Sequence, residues 1–245
     1  MLFVMSEPQI ESDKHSLPNE TSKKRLEKVT AFITRGPSEA RELLVFRHPH
    51  GSVQLPAGTV EEGEPAAEAV LREVWEETGL IAVRIVSCLA AVPQSMRADE
   101  RVVLRHVQML QRPDPDAPAA IAGFASYLGL RRGLYVRLLD ISDDGRYAQI
   151  AYEEFDGPAH LFTAPSRSVS GWVDADSVTD DIVRHHFHLA TTEPAADSWI
   201  QTAEEWEHRF ELYWIPLTGP NARITELLPF QAAWLEEYGR HIVTD

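Results

Sequence analysis
The stretch from Gly58 to Leu80, Gly-Thr-Val-Glu-Glu-Gly-Glu-Pro-Ala-Ala-Glu-Ala-Val-Leu-Arg-Glu-Val-Trp-Glu-Glu-Thr-Gly-Leu, limits what this chain can become more than any other part of it. It reads as a turn, a helix and a stop. Pro65 suits a first helical turn, where no backbone donor is needed. Ala66, Ala67, Ala69, Leu71, Arg72 and the glutamates are good helix formers. Gly79 can adopt the left-handed conformation that ends a helix. The spacing predicts a helix from about Pro65 to Thr78. Glu73, Glu76 and Glu77 stand at i, i+3 and i+4 and share one face. Ala67, Val70, Val74 and Thr78 make another face, suited to packing on a sheet.

Three carboxylates on one helix face repel one another, by a few tenths of a kcal/mol per exposed pair. A hard cation reverses that sign. Oxygen donors around an octahedral ion that also takes phosphates point to magnesium, with manganese as a substitute. Arg72 lies four residues after Glu68 and four before Glu76, so it can pair with either and hold Glu76 in place. The plain alternative is a solvated acidic face laced by helical salt bridges.

The order Gly, five residues, Glu, seven residues, Arg-Glu-apolar-x-Glu-Glu-x-Gly-apolar is filled at every defined position. On these residues the chain resembles the Nudix hydrolase family. The resemblance implies an α/β fold, an α/β/α sandwich with a mixed sheet. It also implies hydrolysis of a diphosphate linkage in a nucleoside diphosphate derivative by water attack on phosphorus. Carried over position by position, it makes Glu73, Glu76 and Glu77 metal ligands, with the Gly58 carbonyl as a further one. Arg72 orients the glutamates, Glu64 is a structural and electrostatic member of the box, and Gly58 and Gly79 serve backbone geometry.

Composition bounds the partners. The chain has 245 residues and 44% hydrophobic content, enough for one large domain or a domain with an insert. No apolar run approaches the ~20 residues needed to span a membrane, and no signal-peptide core follows Met1, so a cytoplasmic protein is expected. Net charge is -15, which opposes duplex nucleic-acid binding. A nucleotide substrate is still allowed, because a bound metal supplies local positive charge. The single cysteine, Cys88, excludes an intramolecular disulfide and a cysteine metal cluster; its apolar surroundings predict a buried small hydrophobe.

Along the chain, residues 1–24 read as a flexible tail. Lys28–Arg35 and Glu42–Arg47 read as strands, Val53–Gly58 leads into the box, and Leu80–Val92 reads as a strand packed on or beside the box helix. Arg184–Ala190 and Phe210–Leu217 are late strands, and Thr225–Ile242 carries a helical apolar pattern. Residues 25–92 and 184–245 are therefore expected to form the Nudix domain, with 93–183 a β-rich insert. In the insert, Asp143-Asp-Gly145 between Leu134–Leu139 and Tyr147–Phe155 is a hairpin signal. With Gly171-Trp-Val173, these runs resemble a small Src-homology-3-type barrel over about 130–180. The alternative is a strand-rich extension of the main sheet.

The family often draws a further carboxylate from a distant loop as ligand or general base. Glu193, Glu204, Glu205 and Glu207 are placed for this, and Glu205 is favoured; Glu153 and Glu154 compete only if the insert folds over the site. His185, His186 and His188 read as strand histidines rather than zinc ligands, since no cysteine or fourth ligand stands nearby. Among the tryptophans, Trp199 and Trp206 are the better candidates for stacking a nucleobase. The family commonly dimerises, which adds a homodimer to the expected partners. A nucleotide-sensing Nudix-fold protein without turnover is the competing function, and the intact glutamates argue against it. An isoprenoid-diphosphate isomerase needs an active-site cysteine, which Cys88 is badly placed to supply.

Overall fold
The computed structural model describes residues 24–48, 51–120, 129–154, 165–192, 194–203, 208–218 and 226–244. The expected tail before Lys24 lies outside them.

Thirteen strands and two helices make up the described chain. The first strands are β1 (Leu26–Arg35), β2 (Glu42–Arg47), β3 (Val53–Gln54) and β4 (Ala57–Thr59). Helix α1 (Ala66–Thr78) follows, then β5 (Val83–Pro93), β6 (Glu100–Val103), β7 (Tyr135–Ile141), β8 (Tyr147–Glu154) and β9 (Arg167–Asp174). The chain ends with β10 (Val178–Thr179), β11 (Ile182–Thr191), β12 (Ser198–Ala203), β13 (His208–Pro216) and α2 (Pro229–Thr244).

One sheet runs β12-β13-β2-β1-β11-β5, with β3 beside β2 and β4 beside β1. It is mixed: β1 and β11 are parallel, with Lys28 opposite Arg184, and the other pairs are antiparallel. The alternation of β1 sorts its side chains between two cores. Val29, Ala31 and Ile33 pack with Ala69, Val70 and Val74 of α1. Phe32 packs with Leu235, Tyr238 and Ile242 of α2 on the other face. The result is an α/β/α sandwich.

Strands β6 to β10 form a second, five-stranded antiparallel sheet in the order β10-β6-β7-β8-β9. It has its own core of Val103, Leu130, Val136, Ala148, Ile150 and Val173. Beyond β6 the chain crosses to the far edge, where Leu110 and Trp172 of β9 exchange backbone hydrogen bonds of 2.7 and 2.8 Å. Leu26 and Ile182 of the first sheet and Val102 and Leu104 of the second share a smaller core that joins the two.

Cys88 departs from expectation: it is exposed. Strand β5 is the sheet edge beyond β11, while α1 packs against β1, β4, β12 and β13. Irregularities in the β5–β11 register accompany this. Only the first part of β5, with Val83 and Ile85, reaches the α1 core. No helix among the described residues is long and apolar enough to cross a membrane.

Candidate metal and diphosphate site
Backbone geometry builds the site first. Pro65 precedes α1 in an extended conformation, and Gly79 ends it at φ 72°, its N–H donating to the Trp75 carbonyl at 2.8 Å. Strand β4 is held against β1 with Gly58 opposite Val29 and Thr59 opposite Lys28. Two helix carboxylates then reach back to this strand. The Thr59 N–H donates to Glu73 Oε1 at 3.0 Å, and the Ala57 N–H donates to Glu77 Oε2 at 2.9 Å.

Gly58 is there because of Glu73. A Cβ at position 58 would lie 1.8 Å from the Glu73 carboxyl carbon and 2.0 and 2.1 Å from its oxygens. The carboxylate occupies the space a side chain would take.

Arg72 organises the acids. Its Nε and Nη2 grip both oxygens of Glu64 at 2.9 Å each. Nη1 donates to Glu73 Oε1 at 3.0 Å and Glu76 Oε2 at 3.1 Å, and Nη2 also reaches the Thr59 carbonyl at 3.0 Å. A planar guanidinium can meet such a fork of acceptors, and an ammonium cannot. The Arg72 hydrogen bonds hold the Glu64 carboxyl below its ordinary range, despite some burial. Glu64 also accepts from the Glu61 N–H at 2.9 Å, closing the turn before the helix.

Glu73 and Glu77 shift the opposite way from Glu64. Burial raises the pKa of Glu73 against the lowering effect of Arg72. Burial also pushes Glu77 well above the usual carboxylate range, and the charge of Glu73 adds to it. Two half-buried carboxylates repelling one another are a donor set that a hard cation would relieve. Glu73 Oε2 and Glu77 Oε1 carry no hydrogen bond among the described residues, so each acid keeps one oxygen to offer. Glu76 stands apart: its side chain is 44% exposed and turned to Arg72. Among the described residues no three His, Cys, Asp or Glu side chains converge as a ready metal cage.

The other sequence candidates fall as follows. Glu193, Glu204, Glu205, Glu207 and Trp206 lie outside the described residues. Glu153 pairs with Arg137 at 2.5 Å and Glu154 with Arg167 at 3.3 Å, both within the second sheet. His185 bonds Glu27 at 2.9 Å, His188 bonds Thr34 at 2.9 Å, and His186 is fully buried between Trp234 and Tyr238. The Trp199 indole donates to the Thr78 carbonyl at 2.7 Å and packs on the α1 core, which gives it a structural task. Lys28, Arg184 and Tyr135, which flank the β4 strand, were not singled out by sequence.

Residues 24–124 match the family model described as NUDIX domain. An RNA pyrophosphohydrolase of Cereibacter sphaeroides is 46% identical over 50 residues, 18% of this chain and 31% of that protein. An RNA pyrophosphohydrolase of a Psychrobacter species is 37% identical over 76 residues, 31% of this chain and 42% of that protein. The match thus spans less than half the length of these curated relatives. A crystal structure of a UDP-X diphosphatase aligns with 91% of this chain and 68% of its own at 12% identity and a TM-score of 0.32.

Proposed function
We propose, starting from the match of residues 24–124 to the NUDIX domain model, that this chain is a pyrophosphohydrolase that cleaves a diphosphate linkage in a nucleoside diphosphate derivative. The observation that supports it best is the Arg72 fork, which leaves Glu73 and Glu77 over the β4 strand with one oxygen each to spare. A divalent cation, magnesium with manganese as a substitute, would be held by the spare oxygens of Glu73 and Glu77, with Glu76 and the Gly58 carbonyl as further ligands. When bound, it supplies Lewis-acid charge for the phosphoryl oxygens and the attacking water.

The chain's own residues set the geometry. Arg72 fixes Glu73 through Oε1 and keeps Glu76 within reach of the same face. The Thr59 and Ala57 amides fix the angle of Glu73 and Glu77 to the strand. The Gly58 carbonyl lies in the ladder opposite Val29, and a carbonyl has a second lone pair to offer. Glu205, which lies in sequence between β12 and β13, is proposed as the general base.

The named relatives make an RNA bearing such a linkage a second substrate to test. The net charge of -15 favours a short or single-stranded end over a duplex. The decisive experiment incubates the protein and Glu77→Gln with magnesium and a panel of nucleoside diphosphate derivatives and 5′-phosphorylated RNA. Release of phosphate or monophosphate by the parent and not by the variant is expected. Nucleotide binding without turnover on any substrate would refute the enzyme in favour of a sensor.

A further inference from the structure
Among the described residues, two cations at the joint between the sheets have no carboxylate in ion-pair contact. Lys28 and Arg184 stand opposite one another in the parallel β1–β11 ladder. Lys28 is 8% exposed. Its Nζ lies 3.3 Å from Thr59 Oγ1, 3.2 Å from the Gly133 carbonyl and 5.0 Å over the Tyr135 ring. Arg184 donates to Gln94 Oε1 at 3.1 Å, Thr30 Oγ1 at 3.0 Å and the Val29 carbonyl at 3.5 Å, and lies 5.4 Å over the Trp234 ring. Every one of these partners is neutral.

That is unusual in an acidic chain. Asp and Glu number 38 against 23 Lys and Arg, and Arg35, Arg72 and Arg137 all hold carboxylates. A buried charge without a contacting ion-pair partner is costly, and proteins ordinarily pair it or bind something to it. Burial pushes the Lys28 ammonium down to about 7, the positive charge of Arg184 adds to that, and the more distant charge of Glu73 only partly opposes it.

The location gives the pair a purpose. Thr59 bonds Lys28 through its hydroxyl, Glu73 through its N–H and Arg72 through its carbonyl. Lys28 therefore adjoins the carboxylate site across a single residue, with Arg184 beside it in the ladder. Gly133 and Tyr135 belong to the second sheet and its leading turn, so that sheet supplies the outer wall.

We propose that Lys28 and Arg184 form an anion seat that receives a further phosphate group of the substrate, beyond the linkage held at the glutamates. This rests on the pyrophosphohydrolase reading and narrows it. The substrate is a nucleotide derivative carrying at least one phosphate more than the bond-forming pair, and the second sheet takes part in recognising it.

The test uses inorganic tripolyphosphate as probe, with the full chain in EDTA and calorimetric titration. The parent protein binds it. Lys28→Met and Arg184→Met each weaken binding by about tenfold or more, as loss of a charged hydrogen-bonding partner does. Glu77→Gln leaves binding intact. Lys28→Met removes a buried charge, so it should fold, and circular dichroism checks this. Parent-like affinity in both cation variants, or no binding by the parent, overturns the seat.

With magnesium, Lys28→Met should raise KM for triphosphate-bearing substrates about tenfold with kcat little changed. A fall in kcat at constant KM would make Lys28 a mere clamp on Thr59 and also overturn the seat. Tripolyphosphate should inhibit hydrolysis competitively. Purely non-competitive inhibition would place a free polyphosphate regulator there and refute the substrate role. Lys28-dependent binding by a parent that hydrolyses nothing would refute the hydrolase and leave the seat standing.

Discussion

Gly58→Ala tests the site at its tightest point. The backbone at Gly58 does not use the left-handed region, so alanine is not excluded by conformation. The penalty comes from space alone. A Cβ there would sit 1.8 Å from the Glu73 carboxyl carbon, against the 3.4 Å at which ordinary contact begins, so the carboxylate must retreat by about 1.6 Å. That retreat breaks the 3.0 Å hydrogen bond from the Thr59 N–H and loosens the Arg72 contact at 3.0 Å. Glu73 is a side chain with rotamers to spare, so the fold survives, at about 1–3 kcal/mol for the overpacking. Function does not. Misplacing a catalytic group by about 1 Å can cost on the order of 100-fold, so kcat/KM should fall at least that far. The assay is magnesium-dependent phosphate release, run beside manganese binding followed by electron paramagnetic resonance. Both should weaken while the circular dichroism spectrum is kept. A Gly58→Ala protein with parental turnover and metal affinity would show that the placement of Glu73 is irrelevant to the chemistry.

Three further outcomes follow from the same contacts. Arg72→Lys should lower kcat/KM by about 100-fold or more, because one ammonium cannot span Glu64, Glu73, Glu76 and the Thr59 carbonyl; steady-state kinetics with the lysine variant at parental rate would refute the fork. Glu77→Gln should raise the Tm of the metal-free protein near neutral pH, since burial lifts the folded-state pKa of Glu77 and its ionised form is penalised above that pKa. Magnesium should then raise Tm in the parent alone, seen by thermal denaturation with and without EDTA. His186 is lowered to about 4 by burial first, then by Arg184 and His185. The unfolded chain takes up a proton near pH 6.5 and the folded one does not, so stability falls as pH drops from about 6.5 to 4 and levels off below. His186→Leu should remove up to about 3 kcal/mol of that loss in urea titrations at pH 4.5 and 7.5; an unchanged pH slope would refute it.

The helix was readable because its signals are local, whereas the sandwich followed only from the resemblance. Pro65, Gly79 and the apolar spacing of Val70 and Val74 define α1 with no help from tertiary structure. The run Val53–Gly58 was less transparent. Pro56 has no N–H to give, so the run breaks into β3 on β2 and β4 on β1. Strand β12 sits in a polar stretch whose pattern, with Trp199 inward and Ile200 outward, has meaning only beside β13. Cys88 was misjudged because apolar neighbours say nothing about where a helix stops covering a sheet. The role of Lys28 was hidden for a like reason. Its companion, Arg184, is far away in sequence, and only the β1–β11 register brings them together.

The same register bears on how the second sheet came to be accommodated. Pro93 at the end of β5 lies opposite Val183 near the start of β11, and the Gln94 N–H donates to the Ile182 carbonyl at 2.9 Å. The chain therefore leaves the main sheet and re-enters it across one ladder rung. To the main sheet, everything between is the loop of a hairpin that two residues would suffice to close. Loop entropy grows only with the logarithm of length, so the main sheet bears little cost from hosting a folded five-stranded sheet there. Replacing residues 95–181 with a tight turn should leave β5 and β11 paired, and would convert the outer wall of the Lys28 joint into open water.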